Sequence, residues 1–114
     1  FTIDYENESV QKIMSKYRRE YSAEPVAFTP YFSKASGSSG FNAYAMWGYD
    51  IASFFIEAYK KYGKDMIKNT SGVTAEMVQS NMVFKPLTNW GGRVNMGLRT
   101  IMFTTDNCIK VKNL

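Results

Sequence analysis

The longest apolar stretch of the chain, residues 44–63, is hydrophobic on almost every face of a helix. The pattern predicts a helix from Asn42 to Tyr62 that ends at Gly63, a residue that readily takes the left-handed conformation after a last turn. Its polar positions recur every three to four residues: Asp50, Ser53, Glu57 and Lys60/Lys61. We interpret this stripe as the solvated edge of the helix, with Glu57 spaced to pair with Lys61. The other faces should be covered, in part by protein from outside these residues.

A shorter amphipathic pattern comes before it. Residues 4–7 include types that form turns and cap helices. After them, apolar or aromatic residues recur at helical spacing. These residues are Val10, Ile13, Met14, Tyr17 and Tyr21. We expect a surface helix that stops near Ser22, because Pro25 disfavours helical geometry at the residue before it.

The segment between these two helices is rich in proline, glycine and serine from Pro25 to Gly40, which predicts a long connecting loop. Such a loop is usually functional or mobile. After Gly63 we expect a third helix from Thr74 through Met77 and Val78 to Met82, with the Thr74 hydroxyl as its cap.

The last third of the chain has the sequence pattern of β-strands. Short extended pieces are expected at residues 83–84 and 94–96, and a longer strand at residues 98–104. A turn at residues 105–107 then leads to a strand at residues 108–112, whose apolar and charged residues alternate. Helices therefore come first and strands last, within one domain.

The composition agrees with an ordered domain, since 45 % of the 114 residues are hydrophobic and 21 % are charged. Polar residues interrupt the best candidate for a membrane span, so we expect no membrane insertion. The net charge of +4 comes from basic residues scattered singly or in pairs, which does not favour a nucleic-acid partner.

The residues of common catalytic and metal sites are scarce. The chain has no histidine and a single cysteine, Cys108, so we expect no metal, no cofactor and no catalytic residue.

Asp50 and Glu57 lie about 10 Å apart along a helix, too far for direct coupling of two carboxylates. Glycine-rich stretches such as residues 37–40 lack the ending of a phosphate loop. Two interpretations of the stretch that ends at Gly40 stay open. Either the free amides at the start of the following helix bind an anion, or the stretch is a plain flexible loop.

Aromatic residues are the remaining candidates for ligand contact. They are Tyr44, Trp47, Tyr49, Phe54, Phe55, Tyr59 and Trp90. Such side chains line sugar or amino-acid clefts, but at helical spacing they more often form a core. Tyr44 is the exception, because it stands where a loop enters a helix.

Four motifs occur in a fixed order: Tyr-Arg-Arg-Glu-Tyr-Ser-Ala-Glu-Pro at 17–25, Tyr-Ala-Met-Trp-Gly-Tyr-Asp-Ile-Ala at 44–52, Lys-Lys-Tyr-Gly-Lys at 60–64 and Gly-Gly-Arg-Val-Asn-Met-Gly at 91–97. Together they resemble the C-terminal third of type 1 periplasmic binding proteins. The closest likeness is to the branched-chain-amino-acid-receptor-like group of Bacteroidetes envelope proteins. The likeness covers nearly the whole chain.

The resemblance implies an α/β fold, part of one lobe of a two-lobed receptor, with two main helices packed on a small sheet and a C-terminal strand pair. The lobes of such a receptor close on a small ligand such as an amino acid. The ligand-binding residues implied are Tyr44, Phe41 and Trp47, and the hinge residues are Phe84, Pro86 and Trp90. The loop over residues 26–40 is longer than the family pattern, and the family's main polar ligand contacts come from N-terminal parts.

Two functions follow as hypotheses. The first is a non-catalytic solute-binding module of the periplasm or cell envelope, the C-terminal fragment of a larger binding protein. Its partners would be the N-terminal part of the same protein and, through uncovered sheet edges, a second copy of the chain. The alternative is a structural or protein-interaction domain that has lost ligand binding and meets a partner through aromatics such as Tyr31, Phe32 and Trp90.

Overall fold

The computed structural model describes residues 3–28, 41–42, 44–106 and 109–114. In chain order these form helix α1 (Glu8–Tyr21), strands β1 (Ala27–Phe28) and β2 (Phe41–Asn42), helix α2 (Tyr44–Tyr62), and strands β3 (Phe84–Pro86), β4 (Arg93–Asn95), β5 (Arg99–Phe103) and β6 (Ile109–Asn113). Two 3₁₀ turns, Gly63–Asp65 and Thr70–Gly72, follow α2. The predicted mixture of helices and strands is confirmed.

Helix α1 has the boundaries that its sequence predicts. The Asn7 side chain accepts a hydrogen bond from Ser9 N–H at 2.9 Å, a cap that contributes about 1 kcal/mol. Ser22 ends the helix in the left-handed conformation with φ 50°. Val10 and Met14 face the core, as their spacing predicts.

Helix α2 starts at Tyr44, two residues after the predicted Asn42, because Asn42 belongs to β2. It ends as predicted at Gly63, whose φ is 55°. Its buried residues follow at intervals of four: Met46, Asp50, Phe54 and Ala58. The interpretation of Asp50 as part of a solvated edge is therefore wrong, since Asp50 lies in the middle of the buried stripe.

The expected pairing of Glu57 with Lys61 is also wrong. Glu57 Oε1 pairs with Lys60 Nζ at 2.7 Å. Lys61 instead donates to the carbonyl oxygen of Gly72 at 2.7 Å, because the 3₁₀ turn at Thr70–Gly72 folds back beside the end of α2.

The third helix predicted from Thr74 to Met82 does not form. Residues 73–83 are irregular, and their central amides are hydrogen-bonded to a side chain of α2. An acceptor supplied by another element here replaces the i−4 carbonyl that a helix would offer. The helical spacing of apolar residues was therefore misleading. Two of these residues, Val78 and Met82, are nevertheless buried.

The strands form three antiparallel pairs, β1–β2, β3–β4 and β5–β6. Phe84 is opposite Asn95 in the second pair, and Ile101 is opposite Val111 in the third. The prediction of a C-terminal strand pair is confirmed. Among the described strands, however, the pairs are separate two-stranded ribbons, so the helices do not rest on the single small sheet of the prediction.

The core consists of two groups of side chains. Ile3, Val10, Met14, Met46 and Val78 join α1, α2 and the irregular segment. At the other end of α2, the ring of Phe54 packs on that of Phe84 in β3 with centroids 5.2 Å apart. Helix α2 is thus the element that both groups share.

The outer faces of α2 stay exposed to solvent. Phe55, Ile56 and Tyr59 are exposed, although they belong to the most apolar stretch of the sequence. The described residues therefore do not supply the cover that we expect for these faces. No helix in residues 3–28, 41–42, 44–106 and 109–114 is both long and apolar enough to cross a membrane.

Candidate functional site

The carboxylate of Asp50 is the most deeply buried charged group that the structure describes. Its side chain is fully buried, and its oxygens accept three backbone hydrogen bonds from a segment nearly thirty residues away. Val78 N–H donates to Oδ1 at 2.6 Å, while Gln79 N–H and Ser80 N–H donate to Oδ2 at 2.9 and 2.6 Å. Three charge-assisted bonds offset the loss of hydration of the carboxylate. Asp50 thereby fixes the backbone of residues 78–80 against α2.

Arg99 holds the same segment from the opposite side. Its guanidinium donates to the carbonyl oxygens of Val78 at 2.8 Å and Met77 at 3.3 Å, and to Asn113 Oδ1 in β6 at 2.9 Å. Burial lowers the pKa of Arg99, while the negative charges of Asp50 and Asp4 act to raise it. The irregular segment is therefore clamped between an acid on α2 and a base on β5.

A groove of about 440 Å³ opens beside this clamp. Trp47 on α2 forms one wall, and residues of the clamped segment and of β4 and β5 form the rest. Its principal lining residues are Trp47, Gln79, Ser80, Asn95, Arg99 and Ile101. Trp47 is 42 % exposed. A concave site of this volume with one aromatic wall and several polar groups has the character of a small-molecule site.

Two polar atoms next to the groove lack a partner. Gln79 is only 4 % exposed, yet its side-chain oxygen Oε1 accepts no hydrogen bond, and the buried hydroxyl of Ser80 has none either. A buried polar atom without a partner costs about 1 to 3 kcal/mol. Such atoms are rare in native proteins, and each one needs an explanation.

A larger groove of about 470 Å³ lies between α1 and α2. It is bordered by Tyr17, Tyr21, Gly48 and Tyr49 and is mostly apolar. None of the unpartnered atoms found in the described residues belongs to its lining. The groove beside Trp47 is therefore the better candidate for a specific ligand.

The three predicted ligand-binding residues lie in β2 and at the start of α2. Trp47 lines the groove, whereas Tyr44, 71 % exposed at the first turn of α2, is not among its lining residues. Phe41 lies in β2 opposite Phe28, and its side chain is outside the described residues. Of the predicted loop over residues 25–40, residues 29–40 lie outside them as well, while Ala27–Phe28 form β1. The cysteine Cys108 is also outside the described residues, as are Tyr31, Phe32 and Gly40.

The three predicted hinge residues lie in and after β3. Phe84 packs against Phe54, Pro86 is the last residue of the strand, and Trp90 stands 96 % exposed in the β3–β4 loop. Their role at a hinge stays a prediction.

Sequence reasoning missed Gln79, Ser80 and Arg99 as site residues. The first two lie in the segment expected to be helical, and an arginine at the start of a strand is ordinary. For Asp50 a signal did exist, because its spacing of four from both Met46 and Phe54 puts it on the apolar stripe. In the described residues, acidic and sulfur side chains do not gather into a group of three that would hold a metal ion.

Comparison with known proteins adds no relative to this picture, since no protein-family model, curated protein or solved structure matches the chain.

Proposed function

We propose that the chain is a non-catalytic solute-binding module of the cell envelope, which contributes one wall of a cleft for a small ligand. The observation that carries the proposal is a groove of about 440 Å³ that Trp47, Gln79 and Arg99 line together. An aromatic wall with a few polar groups around it is what orients a small ligand in a binding site.

The clamp on residues 78–80 supports this proposal. Both Asp50 and Arg99 hold the backbone of this segment, so the two polar side chains beside Trp47 start from a fixed frame. A site held in place before the ligand arrives loses less conformational entropy on binding. The resemblance of the motifs to type 1 periplasmic binding proteins points to the same class of function and to the same compartment.

The test is a thermal-shift and calorimetry screen of the full-length protein against amino acids, small sugars and peptidoglycan fragments. A ligand at a concentration 100 times its Kd stabilises the folded state by about 2.7 kcal/mol. Saturable stabilisation that is lost in Trp47→Ala supports the proposal. The matched control is Trp90→Ala, because Trp90 is not among the residues of the groove and should leave binding unchanged.

The competing function is a structural or protein-interaction domain. The specific observation in its favour is the set of exposed apolar side chains, among them Phe55 and Ile56 on α2 and Trp90 and Phe103 on the hairpins. No stabilisation by any ligand of the panel, together with a change of oligomeric state in Trp90→Ala or Phe103→Ser on ultracentrifugation, would favour this function over solute binding.

A further inference from the structure

The loop that joins β3 to β4 exposes two large apolar side chains to solvent. Trp90 is almost completely exposed, and Leu87 is 67 % exposed. The loop is closed by a hydrogen bond of 3.0 Å from Leu87 N–H to the carbonyl oxygen of Gly92. Every residue from 85 to 92 is exposed, so the described part of the chain does not cover this loop, which we call the hairpin tip. Large apolar side chains exposed within one short loop indicate a contact surface.

The net positive charge of the chain arises in two stretches, one of which contains the hairpin tip. Residues 61–68 and 84–93 hold five basic residues and a single acidic one, Asp65. The remaining residues are balanced, with nine basic against nine acidic side chains, so the two stretches account for the whole net charge of +4. Their basic residues, which we call the basic group, are Lys61, Lys64, Lys68, Lys85 and Arg93.

The fold joins these two stretches. The guanidinium of Arg93, at the start of β4, donates to the carbonyl oxygen of Lys68 in the turn after α2. Strand β3 also contacts the second 3₁₀ turn, Thr70–Gly72. The carbonyl oxygen of Gly72 in that turn accepts from Lys61 Nζ at 2.7 Å. The elements that hold the basic group therefore contact one another, and the hairpin tip extends from them.

An anionic lipid surface matches this combination of side chains. Tryptophan is enriched at the interface between membrane and water, because its ring is apolar and its N–H group is polar. Lysine and arginine near an anionic leaflet are attracted to it, and each strengthens binding about fivefold. Residues 84–93 contain no carboxylate that such a surface would repel. Contact of this kind does not require a helix that crosses the bilayer.

A second protein matches the hairpin tip less well. A stable protein interface buries about 800 Å² on each partner and needs a complementary shape. The exposed apolar groups here are few: Leu87 and Trp90 at the tip, and Ile67 next to Lys68 in the chain. A lipid surface accommodates a few protruding side chains without a complementary shape, and its phosphates supply the negative charge that the basic group lacks.

We infer that the β3–β4 hairpin docks on the surface of an anionic phospholipid bilayer. Trp90 and Leu87 enter the headgroup region, and the basic group faces the lipid phosphates. This inference goes beyond solute binding and does not depend on it, because neither Trp90 nor Leu87 is among the lining residues of the groove beside Trp47.

The experiment is flotation of the full-length protein with vesicles of phosphatidylcholine and phosphatidylglycerol in equal parts, in parallel with vesicles of phosphatidylcholine alone. The protein should bind the mixed vesicles at least tenfold more strongly, and added salt should weaken this binding. Tryptophan emission should shift to shorter wavelength on binding, because the ring of Trp90 leaves water. The shift should persist in Trp47→Phe and disappear in Trp90→Ala.

The apolar part of the contact is tested by Trp90→Ala, which should weaken binding to the mixed vesicles about tenfold. Phe103→Ala is the matched control, since Phe103 is also a strongly exposed aromatic residue but lies on the β5–β6 hairpin. It should leave vesicle binding unchanged. Both side chains are at the surface, so the thermal midpoints of the two variants should stay close to that of the unmodified chain.

The electrostatic part is tested by Lys85→Gln, which should weaken binding to the mixed vesicles about fivefold. Lys12→Gln is its control, because Lys12 is an exposed lysine on α1, outside the basic group. It should not change binding.

Equal affinity for the two kinds of vesicle would overturn the inference, as would a loss of binding in Trp90→Ala no larger than that in Phe103→Ala. Absence of binding to the mixed vesicles would overturn it as well. If the protein then self-associates on ultracentrifugation and Trp90→Ala abolishes this association, the hairpin tip is an interface between two copies of the chain. None of these outcomes bears on solute binding, which is measured separately in the groove.

Discussion

Asp50 and Arg99 hold the two ends of one residue: the N–H of Val78 donates to Asp50 Oδ1 at 2.6 Å, and its carbonyl oxygen accepts from Arg99 Nη1 at 2.8 Å. An acid and a base are thereby coupled through a single stretch of backbone. This relationship joins α2 to β5 and explains why the segment between them is ordered without being helical.

Asp50→Asn should destabilise the fold by about 3 kcal/mol. The amide side chain keeps one oxygen but presents an N–H₂ group to backbone donors, so at least one buried N–H loses its partner. Urea unfolding followed by circular dichroism measures the change. Glu57→Gln on the same helix is the control, because its ion pair with Lys60 is at the surface and its loss should change stability by less than about 0.5 kcal/mol. Equal effects of the two substitutions would contradict the clamp.

Arg99→Lys should cost about 1 to 2 kcal/mol although it keeps the charge. A single ammonium group does not reach Met77, Val78 and Asn113 in the way that the planar guanidinium does. Urea unfolding of this variant is compared with that of Arg19→Lys, whose parent side chain is exposed on α1. If both lysine variants unfold at the urea midpoint of the unmodified chain, the planar guanidinium of Arg99 contributes nothing to stability beyond its charge.

Gly97→Ala should destabilise by about 1 to 3 kcal/mol, because a methyl group at this position would overlap the backbone carbonyl of Asn81. The close approach is part of the wall of the groove, so ligand affinity should fall too. Gly92→Ala is the matched control, since a methyl group there meets no atom within 4 Å. Thermal unfolding of the two variants gives the comparison, and similar midpoints would show that the segment moves aside freely.

Stability in acid should reflect the pair of Arg18 and Glu24 at the end of α1. The hydrogen bond from Arg18 holds the pKa of the Glu24 carboxyl below its ordinary value, and the positive charge of Arg18 adds to this effect while desolvation opposes it. Because the folded pKa is the lower one, the pair stabilises the fold above the ordinary pKa of 4.5 and loses this effect as pH falls through the folded value. The pair is exposed, so high salt should weaken it.

Titration of the Glu24 carboxyl carbon by NMR measures this shift. The pKa of Glu24 should rise toward its ordinary value in Arg18→Gln and stay low in Lys16→Gln, a nearby change on the same helix. An unaltered Glu24 titration in Arg18→Gln would refute the assignment.

Both ends of α1 and the end of α2 were the most predictable part of the fold. Asn7, Ser22 and Gly63 act through their own backbone and nearest neighbours, so their positions in the sequence are enough to locate the helix ends. The strand pair at the C-terminus was predictable for a similar reason, since alternation in residues 108–112 and a turn before it are local signals.

The candidate site was predictable only in part. The resemblance placed Trp47 among the ligand contacts, and Trp47 lines the groove, but its contact with a ligand stays a prediction. Gln79 and Ser80 carried no such signal, since an apolar pattern of helical spacing runs through their segment. Their conformation depends on Asp50, which precedes them by nearly thirty residues.

By itself, the sequence determined where α1 begins and ends, where α2 ends and that the C-terminal strands pair, because capping groups, glycine conformation and residue alternation act over a few positions. Only the tertiary structure decided that Asp50 finds its donors in residues 78–80, that residues 73–83 are irregular, and that Trp47 and Gln79 line the same groove. The physical reason is that a buried carboxylate needs hydrogen-bond donors from wherever the fold brings them. Here three backbone amides of a distant segment donate to Asp50, and these amides are then not donors within a helix of that segment.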